Sequence, residues 1–439
     1  MESKYPKVLV VSRGVWDDSI GTSSTLSNLF SEYPAEQVAH IYIDPRLPAT
    51  KRCSRFFQIS EYNLIKHLFN WKTKTGKEVS NHEVTVCNEA VEAIKEEKML
   101  SFARKHRFHI LNVLREVLWA FNGWKSKELK EYIHDVKPDI IWLDGVVDIF
   151  LGRVYLHVLE VSGKPGVLFL MDDNYTYQSL VGHHYAYRYV LRKITEKVVK
   201  KCRRLFVISP KMKDEYDKIF GVNSIVLTKG IDYDNLSYQK PVVGNPLRIV
   251  YMGQIIYGRL KTIQMLGKQL DSINKDSLRI QLHIYTNNYI KESDKQELTE
   301  KGSVIFEKPV PYSQVGSVLE NSDVLLFVES LDKKYSKDAR LSFSTKITDY
   351  LGSGKCILAI GPSDSASLEY LKTEDAALVV NKEQDISDAL ERICNAEVVE
   401  SYGLKAFECG KRNHERHLIS DKLLNAFQEV VLENNEKRN

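Results

Sequence analysis

The chain has 439 residues, 43% of them hydrophobic and 27% charged, with a formal net charge of +4. That length suggests about two to three domains with sizeable cores, and no apolar run approaches the roughly 18 residues of a membrane span. Residues 1–14 lack a secretory cleavage pattern, and six cysteines lie scattered without C-x-x-C or metal spacing, so a cytoplasmic protein with reduced thiols is expected.

The charge is unevenly spread. Residues 1–240 carry 36 Lys and Arg against 29 Asp and Glu, a balance of +7, while the remainder carries 26 against 29, a balance of −3. An anionic partner is therefore expected for the first half.

In chain order, strand-length apolar runs alternate with helical patterns. KVLVVS (7–12), QVAHIYI (37–43), DIIWLD (139–144), GVLFLM (166–171), RLFVIS (204–209) and SIVLT (224–228) read as strands. Such continuous runs between helices predict a parallel sheet covered on both faces. Residues 60–135 break the rhythm and read as a basic, aromatic, helical insertion. SYQKPVVGNP (237–246) reads as a linker. The pattern restarts with LRIVYM (247–252), LRIQLHIY (278–285), SVIF (303–306), DVLLFV (323–328), KCILAI (355–360) and AALVV (376–380), and a helical stretch from about 383 to 430 follows. The expected organisation is a first domain over 1–236, a second over 247–405, and a helical tail over 406–439 packing on the first.

Chemistry concentrates at strand ends. Gly14 and Gly21 follow the first strand but are seven residues apart, which does not fit a dinucleotide-binding G-x-G-x-x-G. Asp172 and Asp173 end a buried strand, where paired carboxylates could take a proton or hold hydroxyls, or could instead cap the turn at Asn174-Tyr175. Asp232-Tyr233-Asp234 has a D-x-D spacing but no nearby ligand partners, and His106, His109 and His183-His184 lack ligand spacing, so no metal is expected. In the second half, Gly253 and Gly258 follow a strand, with Arg259 and Lys261 opening the next helix. Glycines there let backbone approach a ligand closely.

The segment LSFSTKITDYLGSGKCILAIGP (341–362) offers a second anion site. Gly354-Lys355 mimics the end of an ATP-binding loop, but Asp349 and Cys356 stand where that loop needs a glycine and a hydroxyl. The hydroxyls of Ser342, Ser344 and Thr345 instead predict a helix N-cap, with Lys346 in the first turn and Asp349 one turn deeper. A phosphate at the cap would place an attached ribose near Asp349.

These residues carry a resemblance to glycosyltransferase family four. S-T-K-I-T-D-Y-L-G-S-G-K-C-I-L-A (344–359) follows that family's P-S-K-L-x-E-Y-L-A-x-G-K-P-I-L-A, and Gly253, Arg259 and Lys261 follow its strand, glycine and basic helix start. In the first half, the strand and loop through Gly21, I-S-P-K-M-K-D-E-Y, and T-K-G-I-D (228–232) resemble its first glycine loop, helix start and P-N-G-V-D. The similarity runs from residue 7 to about 375, leaving 60–135 uncovered. It implies an α/β fold of GT-B type, two facing Rossmann-like doubly wound domains with a helical insertion in the first. It implies donor contacts from Gly21, Gly253, Arg259, Lys261, Ser344, Thr345 and Lys346, ribose contact from Asp349, and base contact from the loop around Val310.

The sequence also departs from the family. Leu341 stands where many members carry an acid, so Glu329 is the expected substitute. Asp172 replaces the family's cleft histidine and Lys229 an asparagine. The expected activity is transfer of a hexose from a nucleoside diphosphate sugar to a hydroxyl of a lipid-linked glycan in capsule, O-antigen or exopolysaccharide synthesis, with retention by the resemblance or with inversion if Asp172 acts as a base on the acceptor. A sugar-nucleotide epimerase and a non-catalytic nucleotide-sugar-binding scaffold fit the same motifs. Neither cofactor nor metal is expected. The basic and aromatic stretch 102–127, with Trp119, Phe121 and Trp124, suggests contact with the anionic inner face of the cell membrane, although Ile110, Val113, Leu114, Val117 and Leu118 also have core-helix spacing.

Overall fold

A computed structural model describes residues 4–18, 21–80, 109–176, 185–311, 314–337 and 339–436. The chain divides into two compact units, one of residues 1–208, 213–227 and 419–439, the other of 209–212 and 228–418.

Among the described residues, the first unit holds eight strands: β1 Val8–Val11, β2 Val38–Tyr42, β3 Arg55–Ile59, β4 Gly76–Val79, β5 Ile140–Asp144, β6 Gly166–Leu170, β7 Cys202–Val207 and β8 Ile225–Val226. Their order is β4-β3-β2-β1-β5-β6-β7-β8, parallel throughout except for the antiparallel β3–β4 pair. The helices are α1 Gly21–Leu29, α2 Glu61–Phe69, α3 His109–Ala120, α4 Lys127–Val136, α5 Ile149–Ser162, α6 Tyr185–Lys201 and α7 Pro210–Phe220. β1, β2 and β6 are buried along their whole length, as expected of strands covered on both faces.

One strand, β4, lies inside the stretch 60–135 and corrects its reading as purely helical; β3, just before it, has no counterpart among the expected strands. β4 reads GKEV, with no apolar run, and is held by pairing with β3 rather than by its own pattern. The first turn of α2 is fixed by Ser60, whose hydroxyl accepts from Asn63 N, and by Glu61, buried beneath Arg115 (2.5 Å) and Trp119 Nε1 (2.8 Å). Trp119 and Trp124 are buried, against the expectation of surface aromatics, and Trp119 stacks on Phe150 at 4.6 Å. Val113, Leu114, Val117 and Phe121 are exposed instead. Residues 102–108 of the basic stretch, like His183-His184, lie outside the described residues.

The second unit holds β9 Leu247–Met252, β10 Ile280–Tyr285, β11 Val304–Glu307, β12 Val324–Val328, β13 Cys356–Ile360 and β14 Leu378–Val380. All are parallel, in the order β11-β10-β9-β12-β13-β14. Strand order reverses between β9 and β12, and open α/β sheets bind ligands beyond the carboxyl ends of strands at such a point. Its helices are α8 Arg259–Ile273, α9 Glu292–Thr299, α10 Val315–Glu320, α11 Lys333–Ser336, α12 Lys346–Ser353, α13 Ala366–Thr373, α14 Ile386–Ile393 and α15 Ala396–His414. A last helix, α16 Arg416–Glu436, starts in this unit and continues into the first.

The boundary falls at residues 227/228, ahead of the Pro- and Gly-containing stretch 237–246. Residues 228–240 pack within the second unit. Thr228 Oγ1 bonds His414 Nδ1 (2.8 Å), Ile231 N donates to His414 O (2.6 Å), and Tyr238 OH donates to Glu400 O (3.0 Å). In the first unit Phe427 of α16 meets Phe30 at 6.2 Å and Trp142 at 5.9 Å.

Candidate active site

The C-terminal edge of the second sheet gathers four of the expected residues. Gly253 follows β9 with φ +152°, a backbone conformation that side-chain-bearing residues rarely adopt. A Cβ there would lie 1.8 Å from Lys346 Nζ, so the glycine makes room for the lysine ammonium. Gly258, with φ +76°, turns the chain into α8 and brings Arg259 to its first position. Arg259 Nη2 lies 3.4 Å from both carboxylate oxygens of Glu329, the residue just past β12. Lys346, opening α12, places its ammonium 5.8 Å from the Tyr251 ring centre.

The charges in this cluster perturb one another. Burial, and next the Arg259 charge, bring Lys346 down to about 8. Burial raises Glu329 above the usual carboxylate range, opposed by Arg259 and Lys346. Two cations against one buried acid leave a net positive site, suited to an anion brought to a strand end.

Other expected donor residues fall differently. Lys261 is well exposed and lies 3.8 Å from Asp332, off the cluster. Thr345 is the N-cap of α12 but makes no side-chain capping bond, so the expected hydroxyl cap is absent; Ser344 N donates to Ser367 Oγ (3.1 Å) instead. Val310 is half-buried in the loop after β11. Asp349 Oδ1 accepts from Lys229 Nζ at 2.5 Å, with the Lys229 side chain 12% exposed. The seat expected for ribose therefore already holds a cation on one carboxylate oxygen. Lys229 had been noted only as a departure from the family's asparagine.

In the first unit the two strand-end aspartates separate. Asp172 is exposed. Asp173 is buried, and its carboxylate accepts from Tyr175 N (3.2 Å), Thr176 N (2.8 Å), the Thr176 hydroxyl and Tyr216 OH (2.9 Å). Four donors on one carboxylate make Asp173 a turn staple rather than a proton acceptor. The sequence reading missed Asp144, at the end of β5 beside β6. Burial, and next the Asp172 charge, push it up to about 7. Its signal was present, since DIIWLD ends an apolar run on an acid just as FLMD does. Across the same edge Arg13 pairs with Asp148 at 2.8 Å, and Gly21 opens α1.

Residues 78–235 match the sequence family described as Glycosyltransferase Family 4. The match includes 78–135, which the motif resemblance had left uncovered, and ends before the second-unit motifs. Among curated proteins no sequence relative matches. Solved structures share the fold at low identity. Sucrose-phosphate synthase from Thermosynechococcus elongatus aligns with TM-score 0.61 and 12% identity over 96% of this chain and 98% of its own. Anabaena HepE in complex with UDP-glucose aligns with TM-score 0.58 and 10% identity over 97% and 100%. A variant of S. aureus TarM in complex with UDP and α-GlcNAc-glycerol aligns with TM-score 0.51 and 14% identity over 68% of this chain; the chain spans only 58% of that protein. Two units, each an α/β doubly wound sheet, give the chain the GT-B fold of these solved structures, and its residues 78–235 match the family-four model.

Proposed function

We propose that the chain moves a sugar from a nucleoside diphosphate donor to an acceptor hydroxyl. The observation that carries this reading is the convergence of Arg259, Lys346 and Glu329 on Gly253 at the edge where the second sheet reverses its order. In this reading the bond between the anomeric carbon and the diphosphate oxygen breaks, and Arg259 and Lys346 stabilise the charge that develops on the leaving group. The acceptor oxygen bonds to the anomeric carbon, and its proton passes to the departing diphosphate oxygen. Counter-charge comes from side chains rather than from a metal ion. Retention follows from the family resemblance, and a uridine donor is supported by the UDP-glucose in complex with HepE and the UDP in complex with TarM.

A lipid-linked glycan acceptor at an anionic membrane surface is the finer reading. Leu68, Phe69 and Trp71 at the end of α2 are exposed, as are Val113, Leu114, Val117 and Phe121 on and after α3. His67 and Gly123 touch where the two helices end, and Lys72 lies over Trp71. Apolar side chains beside lysines suit a lipid interface. No helix among the described residues is long and apolar enough to cross a membrane, so the contact would be peripheral.

Incubation with labelled nucleotide sugars tests the reaction. Sugar transfer, or slow hydrolysis releasing free sugar, supports it. Recovery of an epimerised nucleotide sugar, or binding without turnover across acceptors, refutes it in favour of an epimerase or a scaffold.

A further inference from the structure

The first unit carries a second concentration of positive charge at the N-terminal edge of its sheet, opposite the edge that bears Asp144 and Asp172. There α5 ends at Gly163 and α6 ends at Lys201, just before β6 and β7 begin. Between them lies a cavity of about 310 Å³ whose lining includes Lys164, Lys200, Lys201, Arg203 and Asn434. Among the described residues, no carboxylate and no aromatic ring lines it. Lys200, Lys201 and Arg203 are exposed.

A bland account exists for part of this charge. Lysines in the last turn of a helix complement its macrodipole, which amounts to about −0.5 at each C-terminus. Two helix ends and Asp139, 4.0 Å from Lys164, together offset about two of the four cations. An excess of about two positive charges remains around the cavity. Neighbouring Arg204 is already paired with Glu429 (3.3 Å) and Glu433 (3.1 Å), so carboxylates were available on α16 but do not reach the cavity lining.

We propose that this cavity binds a phosphoryl anion, with Lys200, Lys201 and Arg203 as its principal contacts and Asn434 as a neutral donor. Two excess charges match a phosphate monoester or a diphosphate, and lysine ammoniums bind phosphate as point charges. A single-stranded nucleic acid is disfavoured because no aromatic ring among the described lining residues offers a stacking platform. The site is separate from the proposed donor site and does not depend on it. The phosphoryl group could belong to a soluble metabolite or to a lipid headgroup.

The test uses the full chain titrated calorimetrically with inorganic pyrophosphate. It compares wild type, a triple variant with Lys200→Ser, Lys201→Ser and Arg203→Ser, and a donor-edge variant with Arg259→Ala and Lys346→Ala. The triple variant changes exposed side chains only and should fold. The expected result is two binding events in wild type, one at the donor edge and lost in the donor-edge variant, the other surviving in that variant and weakened at least tenfold in the triple variant. In parallel, sedimentation with phosphatidylglycerol and phosphatidylcholine vesicles distinguishes the sources. Loss of phosphatidylglycerol binding in the triple variant, with competition by pyrophosphate, assigns a lipid headgroup; unchanged vesicle binding with loss of the second pyrophosphate event assigns a soluble phosphate. If the triple variant binds pyrophosphate and vesicles as wild type does, the proposal is overturned.

Discussion

Replacing Gly253 by alanine tests whether the Lys346 ammonium is held in place for an anion. The added Cβ would lie 1.8 Å from Lys346 Nζ and 2.8 Å from its Cε, so the ammonium must retreat by roughly 2 Å to reach van der Waals distance. The backbone at φ +152° adds a strain of about 1–3 kcal/mol, which lowers Tm by about 2–4 °C per kcal/mol in a unit of this size. If Lys346 makes a charged hydrogen bond to the donor diphosphate, its displacement removes about 1.5–3 kcal/mol of binding, a loss of about 10- to 150-fold in affinity. Calorimetric titration with UDP of wild type, Gly253→Ala, Lys346→Ala and the double variant separates the two effects. Both changes act through one ammonium, so the double variant should bind no more weakly than Lys346→Ala alone. A folded Gly253→Ala protein with wild-type affinity would refute the reasoning. So would additive losses in the double variant, since they would mean that the glycine and the lysine act independently.

Three further outcomes are expected. Lys346 is held at about 8 against an ordinary 10.5, so the unfolded chain keeps this proton longer than the folded one; stability should rise from pH 8 toward 10.5 while UDP affinity falls, and Lys346→Met should flatten both profiles in denaturation and titration series. Asp144 is raised from 3.8 to about 7, so the stability its protonated form contributes is full below about pH 4 and lost as pH rises through 7; in denaturation series Asp144→Asn should flatten that loss and become relatively more stable above pH 7. If Asp349 serves the ribose rather than the phosphate, Asp349→Asn should weaken UDP binding but leave pyrophosphate binding within about twofold; equal weakening of both would mean that the Lys229 pair (2.5 Å) acts through the structure of α12.

Continuous apolar runs made the two sheets legible, since a strand covered on both faces must be apolar along its length. β4 was not legible because its four residues draw their stability from β3. The same limit governs the site. Gly253, Arg259 and Lys346 could be singled out one by one, each at a strand end or helix start. The pairing of Lys229 with Asp349 spans 120 positions, and that of Arg259 with Glu329 spans 70; no local pattern specifies either. Asp173 read as a reactive acid because its partner Tyr216 lies 43 residues downstream. Helix α3 failed for another reason: Val113 and Val117 recur at helical spacing yet are exposed, while Trp119 on another stripe is buried, and periodicity alone does not say which stripe is covered.

The last helix has a bearing on synthesis. Phe427 sits among Phe30, Trp142 and Phe206, so the first unit's core is closed by a segment that leaves the ribosome roughly 190 residues after Leu227. At about 5–20 residues per second that is a wait of about 10–40 s. Throughout it, the nascent first sheet must survive with an aromatic gap open to water, while the second unit is translated and can fold without it. The order of completion is thus the reverse of the order of synthesis, and a ribosome stalled before residue 419 would display a finished second unit tethered to an unfinished first.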